Sequence, residues 1–177
     1  MDTDSKMATR AQIEQRTTDS GGAIFDRSGK YRYLLWRSLG KGCGNLVFVM
    51  LNPNKADEIQ DDPTIRRCAS FAKDWGFSRL EVVNLFALKA REPKDLIHSR
   101  QPVGPLNDSY LIESMDGAGM IVAAWGNYGG HLERSTAVLD LAASRGHRLK
   151  CLALNACGEP RHPLYMPASA TPLDFLR

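Results

Sequence analysis

The sequence predicts an α/β protein. Three layers, α/β/α, surround a central, mostly parallel four-stranded sheet, and an N-terminal β-hairpin adds to it. Three observations carry this. From Asn45 onward, strand-like apolar segments alternate with helix-like amphipathic ones, the pattern of right-handed crossovers between parallel strands. Those strand-like segments are continuously apolar, as expected of strands buried on both faces. Upstream, two strand-like runs in "AIFDRSGKYRYLLWRSL" flank Arg27-Ser28-Gly29, a hairpin signal.

Residues 1–20 are rich in Asp, Ser, Thr, Arg and Gln without a sustained apolar period, and read as a flexible arm; residues 21–177 read as one domain. The hairpin comes next, as an antiparallel edge. "NLVFVMLN" reads as the first buried strand. In "DDPTIRRCASFAKDW", Asp62 is the expected N-cap and Pro63 the first helical residue. Ile65, Cys68, Ala69 and Ala72 share one helical face, and Gly76 ends the helix. "LEVVNLF" is the second strand. Helical segments follow near Lys94–Ser99 and Asn107–Met115, separated by "QPVGP". "MIVAAWG" is the third strand, "HLERSTAVLDLAASR" an amphipathic helix closed by Gly146, and "LKCLALN" the fourth strand. The Pro-rich tail from Ala156 reads as irregular.

Apolar residues make up 43% and charged residues 24%, proportions of an ordinary globular protein. No apolar run approaches the roughly 18–20 residues that cross a bilayer, and Met1–Ser20 lacks the apolar segment of a signal peptide. The expectation is a cytoplasmic protein without a membrane partner. A net charge of +3 permits nucleic-acid binding without demanding it. Cys43, Cys68, Cys151 and Cys157 form no CxxC pair; the first three read as small buried thiols in or beside elements, and no metal or cofactor is expected. His98, His131 and His147 read as solvated or capping residues.

In a parallel sheet, ligands bind beyond the carboxyl ends of the strands. Here the four ends are polar. The first carries Asn52-Pro53-Asn54, the second Asn84, the third Trp125-Gly126-Asn127-Tyr128. The fourth carries Asn155 and leads to Arg161-His162-Pro163-Leu164-Tyr165. A carboxamide presents a donor and an acceptor in fixed geometry, which suits the edge of a nucleobase. Any one of these Asn residues alone reads as a turn residue bonding its local backbone.

Taken together, the four segments resemble the uracil-DNA glycosylase superfamily. "MLNPN" is similar to its first motif, "EVVNLFALKA" to its base-reading strand, "AAWGNYG" to its Trp-Gly segment and "RHPLYMP" to its His-Pro loop; order and strand-end placement agree from about Asn45 to Tyr165. More closely, the chain resembles a bacterial and phage family numbered 1643 among domains of unknown function. That family shares LNPxxAD, DDPTxRR, VVNLF, WG and RHPLY.

The superfamily resemblance implies a uracil-DNA glycosylase-like fold acting in DNA repair or modification. It implies a pocket that receives a flipped nucleobase, with hydrolysis of the N-glycosidic bond. Carried over by position, Asn52 orients water and Pro53 stiffens its turn. Asn84 reads the base edge, with Asn54 beside it. His162 bonds a base oxygen as charge develops. Leu164 or Tyr165 sits where the loop meets the duplex, while Trp125 and Gly126 pack beneath that loop. Asn127, Arg161 and Pro163 complete the pocket or nucleic-acid contact. The sequence departs from the superfamily in three places. Asn52 stands where its most active branch has a carboxylate, and an amide is no general base at neutral pH. "KADEIQDDPTIRR" replaces a base-stacking aromatic segment. Leu164-Tyr165 replaces Ser-Pro.

"DDPTIRR" admits three readings: a phosphate at the helix N-terminus assisted by Arg66 and Arg67, a capped helix with solvated arginines, or Asp61 and Asp62 supplying the carboxylate that position 52 lacks. The expected partner is DNA or a nucleotide. The alternative is a binding module that keeps the pocket without catalysis. A generic nucleotide-binding fold is disfavoured, because neither GxGxxG nor a P-loop lysine pattern occurs.

Overall fold

The computed structural model describes residues 12–176. Its eight strands are β1 (Ile13–Thr18), β2 (Gly21–Asp26), β3 (Arg32–Ser38), β4 (Asn45–Met50), β5 (Arg79–Asn84), β6 (Met120–Ala123), β7 (Lys150–Cys151) and β8 (Leu173–Asp174). The helices are α1 (Pro63–Asp74), α2 (Pro93–Ile97), α3 (Asn107–Asp116) and α4 (Arg134–Ser144), with short 3-10 turns at His131–Glu133 and Pro163–Tyr165.

All eight strands form one mixed sheet, in the order β1-β2-β3-β5-β4-β6-β7-β8. The pairs β5/β4, β4/β6 and β6/β7 are parallel. The pairs β1/β2, β2/β3, β3/β5 and β7/β8 are antiparallel. The sheet is therefore two strands wider than the four parallel strands and the hairpin expected, and more of its pairings are antiparallel than parallel. The extra strands are those with the weakest side-chain signal. β1 is an exposed edge whose ladder to β2 rests on backbone bonds, so "IEQRTT" shows no apolar alternation. It occupies part of the segment read as an arm; the rest of that arm, residues 1–11, lies outside the described residues. β8 is two exposed residues of the tail, paired to β7.

β4 shows how the sheet divides the core. Val47 and Val49 face one apolar cluster, which Leu111 and Met115 of α3 and Val138 and Ala142 of α4 share. Leu46, Phe48 and Met50 face the other, shared with Ile65, Cys68, Phe71 and Ala72 of α1. All five strand residues are buried, which is why the segment reads as a continuous apolar run.

α1 matches its signals closely. The Asp62 side chain accepts the Ile65 N–H at 2.9 Å, and Pro63 opens the helix. Gly76, at φ 81°, closes it: Gly76 N–H donates to the Lys73 carbonyl and Phe77 N–H to the Ala72 carbonyl, a Schellman arrangement.

Two segments differ from expectation. The helix expected from His131 starts at Arg134, because Leu132 and Glu133 adopt left-handed backbone (φ 53° and 54°). This turn accompanies an inward-facing Arg134, whose Nε donates to the Leu85 carbonyl at 2.8 Å and whose Nη2 bonds Asp108. "LKCLALN" is a strand only at Lys150–Cys151. Beyond it the chain pairs locally instead, with Asn155 N–H to the Glu159 carbonyl and Arg161 N–H to the Ala153 carbonyl. Cys43, read as a buried thiol beside an element, is exposed. The His131 ring packs at 5.7 Å from Phe86 with a buried Nε2 that has no partner among the described residues, rather than lying in solvent. Among the described residues no helix is long and apolar enough to cross a membrane.

Candidate functional site

A cleft of about 480 Å³ opens at the carboxyl ends of the parallel strands, within the roughly 300–1,000 Å³ usual for small-ligand sites. Asn52 and Asn54 follow β4, Asn84 ends β5, Trp125, Gly126, Asn127 and Tyr128 follow β6, and Asn155 follows β7. All line the cleft, as do His162, Leu164 and Tyr165. Asp62 and Thr64, at the start of α1, form another wall.

Asn84 is the best-defined polar group in it. It is 1% exposed, and neither its Oδ1 nor its Nδ2 has a hydrogen-bond partner among the described residues. Its neighbours Leu80 and Val82 on β5 belong to the cluster beneath α1, and the two-residue period of the strand sets Asn84 on the same face. Its backbone is pinned from the opposite face. The buried Asn107 of α3 donates to the Asn84 carbonyl at 2.9 Å and to the Leu85 carbonyl at 3.0 Å. The side chain is thus rigidly placed while its own hydrogen-bonding capacity is left open.

Asn52 is differently engaged. Its Nδ2 donates to its neighbour's Pro53 carbonyl at 3.0 Å and to the Ala90 carbonyl at 2.9 Å, while Ala90 N–H donates to the Pro53 carbonyl. The amide ties the β4 loop to the loop after β5. Only Oδ1 remains for a ligand or water.

His162 sits on a loop anchored to the end of β6. Gly126 N–H donates to the Pro160 carbonyl at 2.9 Å, and Gly126, at φ 75°, makes a turn that L-residues adopt poorly. The Leu164 N–H donates to His162 Nδ1 at 3.3 Å, so the ring proton belongs on Nε2, which becomes a donor. Burial lowers the His162 pKa below its ordinary value, and the Asp62 carboxylate works against that. The imidazole is therefore neutral at pH 7. The unfolded chain takes up the proton first as pH falls below about 6.5, so this contribution to stability is present above that value and is lost as pH falls through the lower folded-state pKa. Wild-type stability relative to His162→Gln should accordingly decline between pH 7.5 and 5.5 in urea titrations; a constant difference would contradict the shift.

Asp62 couples cap and cleft. One carboxylate oxygen caps α1, and its charge acts on both His162 and Arg32. Asp61, by contrast, pairs with Arg37 at 2.8 Å and does not line the cleft.

Five other candidates lie outside the cleft lining. Pro53 is buried behind it. Arg66 donates to the Asp61 carbonyl at 2.6 Å; Arg67 bonds the Met166 carbonyl and lies 4.9 Å over the Phe71 ring. Pro163 is buried, and Arg161 donates at 3.1 Å to Asn155 Oδ1, whose Nδ2 donates to Asn127 at 2.7 Å. Trp125 is fully buried, with its Nε1 donating to Glu159 at 2.5 Å, and supports the cleft from below.

Three polar or charged lining residues escaped the sequence reading: Arg32, Thr64 and Arg91. Arg32 is the consequential one. It belongs to β3 of the hairpin, is 2% exposed and forms no ion pair among the described residues. The available signal was a charge set inside the otherwise apolar-aromatic "YRYLLW".

A family model described as "Protein of unknown function (DUF1643)" matches residues 32–164. That span starts at Arg32 and takes in every cleft residue named above except Tyr165. No curated protein and no solved structure matches the chain significantly.

Proposed function

Given that the chain belongs to the DUF1643 family, whose description assigns no activity, we propose that it is a glycosylase-like protein: it receives a nucleobase of DNA in the cleft and hydrolyses its N-glycosidic bond. The carrying observation is Asn84, a buried carboxamide with both polar atoms unpartnered among the described residues. Each buried group left unpaired costs about 1–3 kcal/mol. An adjacent donor and acceptor held at that cost match the adjacent carbonyl and ring N–H of an oxo-base.

In the reaction, the C1′–N bond breaks and its electron pair leaves with the base. The oxygen of water bonds to C1′. One water proton is released, finally to the base nitrogen, and the other stays on the new sugar hydroxyl. Asn84 holds the base edge. His162, neutral with Nε2–H, donates to a base oxygen as negative charge grows there. Asn52 Oδ1 orients the water, and Asp62 supplies the carboxylate that Asn52 cannot. Leu164 and Tyr165, 45% and 78% exposed at the mouth, offer apolar surface to neighbouring bases. The resemblance to uracil-DNA glycosylases supports this reading. So does a core split between two faces of the sheet, as the three-layer uracil-glycosylase-like arrangement requires.

One observation favours a second reading, a base-binding module without catalysis: the Asn52 amide is engaged in holding loops together. A substrate panel separates the two. Duplex and single strands carrying uracil, hypoxanthine, hydroxymethyluracil or mismatched thymine are incubated with the protein, and abasic sites are scored. Cleavage of at least one, weakened in His162→Ala, is expected. Binding dependent on Asn84 without any cleavage would establish the module instead; neither binding nor cleavage would remove both.

A further inference from the structure

The cleft contains a second unsatisfied group besides Asn84. Arg32 Nη1 donates to the Ala56 carbonyl at 2.5 Å, but its Nε is buried without a partner among the described residues. The guanidinium is almost wholly removed from solvent, and no carboxylate pairs with it directly among the described residues. A buried cation without an ion-pair partner is costly unless something else supplies the counter-charge.

The register explains why Arg32 and Asn84 share one cleft. β3 lies beside β5, with Leu35 opposite Val82, and both of those side chains pack into the cluster beneath α1. The hairpin irregularity between Ile24 and Phe25 sets Arg32 opposite Phe25 and Leu34 opposite Ile24, leaving Tyr33 over. Arg32 then enters the cleft lining where Asn84 ends its strand.

We propose that Arg32 is the charge-bearing specificity residue of this cleft: it selects oxo-bases whose glycosidic ring nitrogen is acidic and holds the freed base as the anion of that nitrogen, leaving the other ring N–H to Asn84. The inference rests on the nucleobase reading above and adds to it. A planar guanidinium donor beside a carboxamide donor–acceptor pair complements a base edge whose oxygen carries negative charge. The same charge would stabilise the base anion that leaves when the glycosidic bond breaks. Burial takes the guanidinium down to about 10, and it remains cationic at neutral pH. The charged groups that act on it are Asp62 at the start of α1, Arg37 on its own strand and Asp57 after β4. The two carboxylates partly offset its charge from outside direct contact.

The test uses the full-length protein and two free bases, uracil and 5-fluorouracil, the latter with the more acidic ring N–H. Affinity is measured by calorimetry from pH 6.5 to 9.5, and the ionisation of the bound base is followed by its ultraviolet difference spectrum. In the wild type, bound 5-fluorouracil should ionise about 1–3 pH units below the free base, the shift an adjacent opposite charge produces, and it should bind more tightly than uracil. Arg32→Gln should abolish both effects while uracil binding persists; Arg32→Lys should retain part of the shift. The wild-type spectrum decides the matter even if a variant fails to fold. A bound base that stays neutral across the range overturns the proposal. So does an unchanged preference in Arg32→Gln, or inorganic phosphate binding that depends on Arg32 and excludes the base; in those cases the nucleobase reading stands or falls separately. Failure of both bases to bind overturns both readings.

Discussion

Asn84→Leu is expected to keep or raise stability while lowering base cleavage by about 10²–10³-fold, the loss typical of one transition-state hydrogen-bonding group. Leucine reproduces the branched shape of asparagine without its polar atoms. The site is 1% exposed and both amide atoms lack partners, so the apolar replacement relieves an existing penalty. A gain of about 1–2 kcal/mol is expected. A protein that keeps a less stable residue in its core at a cleft is trading stability for function. Urea denaturation gives the first quantity, and single-turnover release of base from the best substrate gives the second. Marked destabilisation with activity intact would make Asn84 a structural residue and remove the main support for the base pocket.

Asp62 separates two roles in one side chain, and two substitutions resolve them. Asparagine caps helices about as well as aspartate, so Asp62→Asn should keep the cap and lose only the carboxylate's partial offset of the Arg32 charge, whereas Asp62→Ala should cost about 1 kcal/mol more through loss of the bond to Ile65 N–H. If the carboxylate activates water, both variants should lose about 10²–10⁴-fold in the cleavage step. Asp62→Asn should also lower the His162 pKa further, because the carboxylate that raises it is gone; an NMR titration of the imidazole reads this directly. Full activity in Asp62→Asn would assign the residue to capping alone, and water activation would have to come from elsewhere.

These two residues show how far the site could be read in advance. Asp62 was recognisable as a cap because Asp-Pro before an amphipathic run is a local signal. Whether its charge also reached the pocket was one of three open readings, and the structure sets it against the cleft while turning Arg66 and Arg67 to other contacts. The strand-end asparagines were legible because ligands gather there in parallel sheets. Their separate behaviours were not. Asn52 and Asn84 look equivalent in sequence, yet one amide ties two loops together and the other is held open.

Elements governed by short-range preferences were legible in the amino-acid order. These include the buried parallel strands β4, β5 and β6 with their continuous apolar runs, the cap and Schellman closure of α1, the hairpin turn at Arg27–Gly29, and the polar character of the strand ends. Each depends on interactions spanning a few residues. The breadth of the sheet emerges only on folding, since β1 and β8 are held by backbone pairing that leaves little trace in side chains. Folding also sets which polar groups have partners. Asn84 is positioned by Asn107, 23 residues away, and joined in the cleft by Arg32 from a different strand. Hydrogen-bond satisfaction is a property of neighbours in space, and two buried groups left without partners become visible only when every neighbour is in place.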